Sequence, residues 1–241
     1  MLRNIVFLLY LTFLVLSSPL IYLPILFFQI FRLKKSMEKY IIFMGAFLAK
    51  SLIFFTWSKV KVYGKNNIPD QNNICFVSNH QGYFDIILIF GYLRKKIGFI
   101  AKKELKKIPI LSFWMKTINC IFIDRNDHKG SINAINKRME YIKNGNPMII
   151  FPEGTRSKDV KINRFKTGGL KLLIQNNLKI VPITINGTYK LFEKKGEINS
   201  GDISLYIHKP IDLSNLSDNE KENIPSSLFE IISGPLKAES S

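Results

Sequence analysis

Residues 4–31 carry no charged side chain, and that run constrains the chain more than any other feature. A helix needs roughly 20 apolar residues to cross a bilayer, so this run is long enough to do so. A cleaved signal peptide has a shorter apolar core, about 7–15 residues, ending at small residues. Ser17-Ser18-Pro19 imitates such a site, but the apolar run continues past it to Phe31. The segment is therefore expected to be retained and membrane-associated, with Pro19 and Pro24 kinking it or splitting it into a re-entrant pair. Arg32, Lys34, Lys35 and Lys39 follow the run, and only Arg3 and the amino terminus precede it. The positive-inside rule then places everything after residue 32 on the cytoplasmic side. Residues 40–58 form a second apolar stretch, in which Lys50 is the one charge. An interfacial helix from which Lys50 snorkels fits this stretch better than a second span. Residues 1–58 are thus expected to be an N-terminal membrane-associated helical segment.

From residue 59 the pattern changes to short apolar runs alternating with longer periodic segments. Strands are expected at 59–63, 74–78, 97–101, 120–123, 148–151, 180–185 and 203–207. Helices are expected at 83–93, 108–118, 131–144, 168–176 and 226–232, with the tail after Pro235 frayed. Ile132, Ile135, Met139 and Ile142 share one face of the third, which Gly145 ends. Strand and helix alternate, so the fold class is α/β, a mixed sheet covered by helices. Residues 59–241 read as one domain. In such sheets ligands gather beyond strand ends, and His80, Asp124, Arg125 and Glu153 all follow an apolar strand directly.

The chain has 35 Lys and Arg against 18 Asp and Glu, a formal charge of +17. An excess of this size favours anionic partners. The basic clusters hold few aromatic residues, which argues against the stacking platforms of single-strand nucleic-acid binding. Cys75 and Cys120 each lie in an apolar run, the pattern of buried free thiols in a reducing compartment. The sequons Asn186-Gly187-Thr188 and Asn215-Leu216-Ser217 carry no meaning on the cytoplasmic side.

His80 has a carboxylate five residues on, Asp85. If the chain turns into a helix near Gly82, Asp85 comes back under the imidazole, accepts one ring N–H and leaves the other nitrogen free as a base. A helix-capping Asn79 with an incidental Asp85 would give the same letters. Arg125 follows Asp124 at a strand end, as an exposed ion pair or as a bidentate phosphate ligand. In Phe151-Pro152-Glu153-Gly154-Thr155-Arg156-Ser157, proline and glycine force a tight turn after a buried strand. Arg156 can pair with phosphate there, and Glu153 can hold a substrate hydroxyl or fix an arginine. Lys158, Lys161, Arg164 and Lys166 follow. Gly168-Gly169 opens a helix whose N-terminus offers N–H groups to an anion.

Together these blocks resemble the glycerolipid acyltransferase family, in particular its bacterial 1-acylglycerol-3-phosphate type. Four blocks stand in family order: Asn79, His80 and Asp85; Ile121-Phe122-Ile123-Asp124-Arg125; Phe151 to Ser157; and Val181-Pro182-Ile183-Thr184-Ile185. Lys102-Lys103-Glu104-Leu105 and Ile108-Pro109 are similar to the family's intervening segment. The resemblance covers about residues 60–190. It implies that His80 is the general base and that Asp85 orients it. Glu153, Gly154, Thr155, Arg156 and Lys103 would bind the substrate, with Arg125 contributing at the acceptor's phosphate. It also implies direct attack of the acceptor hydroxyl on an acyl thioester, with acyl-CoA or acyl carrier protein as co-substrate and no bound cofactor or metal. The implied product is phosphatidic acid, made from lysophosphatidic acid on the cytoplasmic face of a bacterial inner membrane, with no nucleic acid involved. Gly82 stands where the family often has Ser, Asn119 where Gly is common, and Ser112 where Gly is frequent. Glycerol 3-phosphate or a lyso-aminolipid is an alternative acceptor, and a non-catalytic basic lipid-binding module an alternative of another class.

Overall fold

The structure is a computed structural model that describes residues 1–124, 136 and 139–240. An eight-stranded sheet forms its centre, in the order β1-β7-β6-β2-β5-β3-β4, with β8 paired to β6. The strands are β1 (Lys59–Tyr63), β2 (Ile74–Ser78), β3 (Gly98–Lys102), β4 (Ile121–Ile123), β5 (Met148–Ile150), β6 (Lys179–Asn186), β7 (Asp202–Ile207) and β8 (Ile211–Asp212). The block β6-β2-β5-β3-β4 is parallel throughout. β7 and β8 run antiparallel to β6. Pro182 lies inside β6, where its missing N–H would break a ladder. It falls between the register of β8 at Lys179–Ile180 and that of β7 from Ile183 onward, so neither ladder needs that donor.

The helices are α1 (Leu2–Ile30), α2 (Lys34–Phe54), α3 (Phe84–Leu93), α4 (Pro109–Thr117), α5 (Thr167–Gln175) and α6 (Asp218–Ser240). The central strands are buried on both faces, and their residues alternate between two cores. Ile74, Phe76, Ile149, Val181, Ile183 and Ile185 pack with Leu88, Ile89 and Leu93 of α3 and Ile53 of α2. Cys75, Val77, Met148, Ile150 and Ile180 pack with Leu170 and Leu173 of α5 and Leu228 and Ile232 of α6. Within the expected helix at 131–144, residue 136 and residues 139–143 are helical, and Met139 and Ile142 are buried as its periodicity requires; Ile132 and Ile135 lie outside the described residues.

Two expectations need correction. The last helix begins eight residues before the expected 226, because Ser217 and Glu220 form a reciprocal cap: the Ser217 N–H donates to Glu220 Oε2 at 2.8 Å. It also continues through Pro225 and Pro235 to Ser240 instead of fraying. Of the two alternatives for α1, a kinked helix or a split pair, the split is excluded, because one helix runs through Pro19 and Pro24. Pro19 cannot bond the Val15 carbonyl, and the Ser18 hydroxyl does so instead at 2.9 Å.

Arg3 donates to the Ile198 carbonyl, Asn199 Oδ1 and Ser200 Oγ at 2.8, 2.9 and 3.1 Å. Farther along, Tyr22 meets the Phe113 ring of α4 at a centroid distance of 3.4 Å. α1 therefore runs along the α/β unit, held to it at its start by Arg3 and farther along by Tyr22. Its opposite face exposes Leu9, Phe13, Leu16, Leu20, Leu23, Phe27 and Ile30, a continuous apolar stripe at helical spacing. α2 packs on α3 and starts earlier than the expected 40–58. The Lys50 ammonium sits over the Tyr92 ring, 5.2 Å from its centroid.

Candidate active site

β2 and β5 are parallel neighbours, so the turns leaving their C-terminal ends share one rim of the sheet. His80 comes from the first turn, Asp85 from the start of α3 that follows it, and residues 151–157 from the second. The His80 Nδ1 lies 2.7 Å from Asp85 Oδ2. The same oxygen accepts the N–H groups of Gln81 and Gly82 at 2.6 and 3.0 Å. Thr188 Oγ1 donates to the other oxygen, Oδ1. Asp85 is fully buried and its carboxylate is met by the N–H groups of Gln81 and Gly82 and the Thr188 hydroxyl, so it is held as an acceptor. His80 therefore keeps its proton on Nδ1, and Nε2 has no hydrogen-bond partner among the described residues. The imidazole lies nearly flat on Phe151, with ring centroids 4.2 Å apart at 22°.

The two turns are tied through the backbone. The His80 N–H donates to Glu153 Oε1 at 2.6 Å, and the Asn163 N–H to Oε2 at 2.8 Å. The Ser157 N–H donates to the His80 carbonyl at 2.8 Å and the Lys158 N–H to the Gln81 carbonyl at 3.2 Å. Glu153 is buried, which pushes its pKa up; the N–H groups of His80 and Asn163 pull it back, and Asp85 adds to the rise. Gly154 takes a left-handed conformation, φ 71°, and a Cβ there would stand 2.9 Å from Lys166 Nζ. Thr155 is exposed.

Arg156 lies across the Tyr83 ring, its guanidinium carbon 3.6 Å from the centroid. Its Nη1 donates to Glu193 Oε1 at 3.1 Å. Lys103 and Asp124 follow β3 and β4 on the same rim and pair with each other, beyond β5 from His80. Arg125 lies outside the described residues. Asn119 adopts φ 64°, the turn conformation where the family commonly has Gly. Cys75 and Cys120 are buried, and burial pushes the Cys75 thiol far up. Among the described residues no group of three or more His, Cys, Asp and Glu side chains is placed to hold a metal.

Sequence reading missed Gln81, Thr188 and Glu193. Gln81 Oε1 accepts the Gly187 N–H at 2.9 Å, which fixes the turn bearing Thr188 under Asp85. Asn79 makes reciprocal bonds with Ile185 at 2.8 Å each, locking the His80 turn to β6. Its capping letters thus serve tertiary structure.

A buried carboxylate, an imidazole oriented by it and an arginine on an adjacent turn lie together at the rim of an α/β sheet, an arrangement able to accept a proton beside a bound anion. The Acyltransferase family matches residues 59–186, and the chain belongs to it. A 1-acyl-sn-glycerol-3-phosphate acyltransferase from Borreliella burgdorferi is 30% identical over 169 residues, 70% of this chain and 68% of that protein. A chloroplastic one from Brassica napus is 33% identical over 171 residues, 68% of this chain. The match spans about half the length of that relative, 49%. The crystal structure of the 1-acyl-sn-glycerophosphate acyltransferase from Thermotoga maritima superposes with a TM-score of 0.85 at 30% identity, covering 100% of this chain and 97% of that one.

Proposed function

We propose that this protein transfers an acyl chain from an acyl thioester to the sn-2 hydroxyl of 1-acyl-glycerol 3-phosphate, giving phosphatidic acid. The observation that carries the reading is the pairing of His80 with Asp85 beside the Glu153–Arg156 turn, joined by the His80 N–H bond to Glu153. The shared name of the relatives supports the choice of acceptor. His80 Nε2 takes the acceptor's hydroxyl proton as the oxygen attacks the thioester carbonyl. The C–S bond breaks, and the departing thiolate receives that proton from the imidazolium. Asp85 holds the Nδ1 proton and stabilises the transient charge. Arg156 clamps the phosphate, Lys103 is a further cation on that rim, Arg125 contributes a charge to the same phosphate as the family resemblance implies, and Glu153 keeps the two turns together. The donor is acyl-CoA or acyl carrier protein.

The catalytic unit works at the cytoplasmic face of the inner membrane. The apolar stripe of α1 enters the bilayer while the opposite face stays on the protein, so the α1–α2 hairpin lies in the interface without crossing it. Lysophosphatidate, glycerol 3-phosphate and a lyso-aminolipid, offered with labelled acyl-CoA and acyl carrier protein, test the reading. Lysophosphatidate is expected to be acylated fastest, and His80→Ala to abolish turnover. Wild-type turnover by His80→Ala would overturn the base assignment, and preference for another lipid would overturn the acceptor.

A further inference from the structure

Glu193 lies on the loop after β6, and its side chain is 2% exposed. Its Oε1 accepts two donors, the Tyr83 N–H at 2.7 Å and Arg156 Nη1 at 3.1 Å. One carboxylate oxygen thus joins the chain at the entry to α3, one residue from Gly82, to the guanidinium that lies on the Tyr83 ring. The other oxygen, Oε2, is buried with no hydrogen-bond partner among the described residues. It is pressed against Gly82: a Cβ on residue 82 would stand 2.5 Å from Oε2 and 2.8 Å from the carboxyl carbon. A contact that close forces the carboxylate to move.

Leaving one oxygen of a buried carboxylate unmet costs free energy, so the arrangement calls for a compensating role. Arginine is a long side chain that loses rotamer freedom when it grips a ligand. Here the ring below and the carboxylate beside it fix the guanidinium beforehand. Nη1 is committed to Glu193, and the other guanidinium N–H groups have no protein acceptor among the described residues. A planar fork fixed in this way suits the oxygens of a phosphate.

We propose that Glu193 is a positioning residue for acceptor recognition. It sets Arg156 for the acceptor phosphate, and glycine is required at position 82 because Glu193 fills the space a side chain would take. The inference rests on the reading of Arg156 as the phosphate clamp. It makes orientation, more than bare charge, the source of the clamp's affinity, since a neighbouring carboxylate weakens the local positive potential.

The test compares KM for lysophosphatidate, KM for the acyl donor and kcat in the wild type, Glu193→Ala, Glu193→Gln, Gly82→Ala, Arg156→Gln and the Glu193→Ala/Arg156→Gln double variant. Glu193→Ala is expected to raise acceptor KM about 10-fold or more, with donor KM and kcat within about twofold of wild type, and Gly82→Ala, whose N–H also serves Asp85, to raise acceptor KM likewise with donor KM within about twofold. Glu193→Gln keeps a carbonyl oxygen for both donors and is expected to stay within about threefold of wild type. The double variant is expected to be no worse than Arg156→Gln alone, because both changes act through one guanidinium. Additive losses, or acceptor and donor KM rising together, would overturn the proposal. So would a failure of Gln to recover the loss. If Glu193→Ala does not fold, Gly82→Ala carries the test; if neither folds, Glu193 is structural only and the positioning role falls. A wild type that ignores lysophosphatidate, or an Arg156→Gln variant with unchanged acceptor KM, removes the clamp reading itself. A raised KM in Arg156→Gln with none in Glu193→Ala or Gly82→Ala removes only this inference.

Discussion

The backbone N–H of His80 donates to the Glu153 carboxylate at 2.6 Å, across 73 residues of sequence. That bond makes the two polar turns one site. Glu153 uses its second oxygen on the Asn163 N–H, so the buried carboxylate brackets two loops. Its glutamine analogue would present an amide N–H to one of these donors. Glu153→Gln is expected to cost about 1–3 kcal/mol of stability, the range for a lost bond to a buried carboxylate. Displacement of the His80 turn is expected to lower kcat about 10- to 100-fold. A variant with wild-type kcat would show that the bracket does not set the base.

Glu153 also gives the molecule a pH signature. Burial raises its pKa above the ordinary 4.5. The folded chain therefore holds this proton to higher pH than the unfolded chain does. The group's contribution to stability is full below the ordinary value and is lost as pH rises through the raised one. Glutamine does not titrate. The difference in unfolding free energy between wild type and Glu153→Gln should shrink as pH rises from 4.5 toward neutrality. Urea unfolding at a series of pH values measures it, and a difference that grows with pH would contradict the buried-carboxylate account.

Thr188 is the third support of the base. Its hydroxyl donates to the Asp85 oxygen that His80 does not use. Valine has the same shape and no donor. Thr188→Val would leave that oxygen unmet in a buried site, at a cost of about 1–3 kcal/mol. Because the defect lies behind the imidazole, kcat is expected to fall about 10-fold while both KM values hold. A change in KM alone would place Thr188 on the substrate instead.

The strands and the His80–Asp85 pair were legible because local periodicity encodes them. Ile74 to Val77 and Met148 to Ile150 alternate between two cores, which an unbroken apolar run already implies. Asp85 needed only one helical turn to reach His80. Thr188, Gln81 and Glu193 were not legible, since each is a single polar residue brought in over 100 or so positions with no spacing to mark it. Thr188 was visible only as part of a sequon. The start of α6 was legible and overlooked: Ser217 and Glu220 carry the capping-box spacing, but Pro225 reads as a break. The course of α1 is tertiary. Charge flanks treat the segment as an isolated rod, whereas Arg3 is bound to residues 198–200.

Gly154 ties the second turn to Lys166. Its φ of 71° disfavours any side chain, and a Cβ would also meet the Lys166 side chain at 2.9–3.2 Å. Gly154→Ala is expected to cost about 1–3 kcal/mol, from strain at positive φ together with displacement of the lysine. The thermal midpoint should drop, and the loss should appear even without substrate. An unchanged midpoint would show that the turn can relax.

The apolar stripe of α1 makes the last prediction, one that distinguishes lying on a membrane from crossing it. Leu16 and Leu20 are among its most exposed members, at 74% and 69%. Burying each in a bilayer is worth about 1.5–3 kcal/mol, so losing both weakens vesicle binding by about 3–6 kcal/mol, more than 100-fold. Leu16→Glu/Leu20→Glu should therefore release the protein from sedimented anionic vesicles and leave its unfolding curve near wild type, because neither side chain packs in a core. Detergent-solubilised lysophosphatidate should still be acylated. Retention on vesicles after an alkaline wash, with the loop at Arg32 protected from protease added outside, would instead require that α1 cross the bilayer.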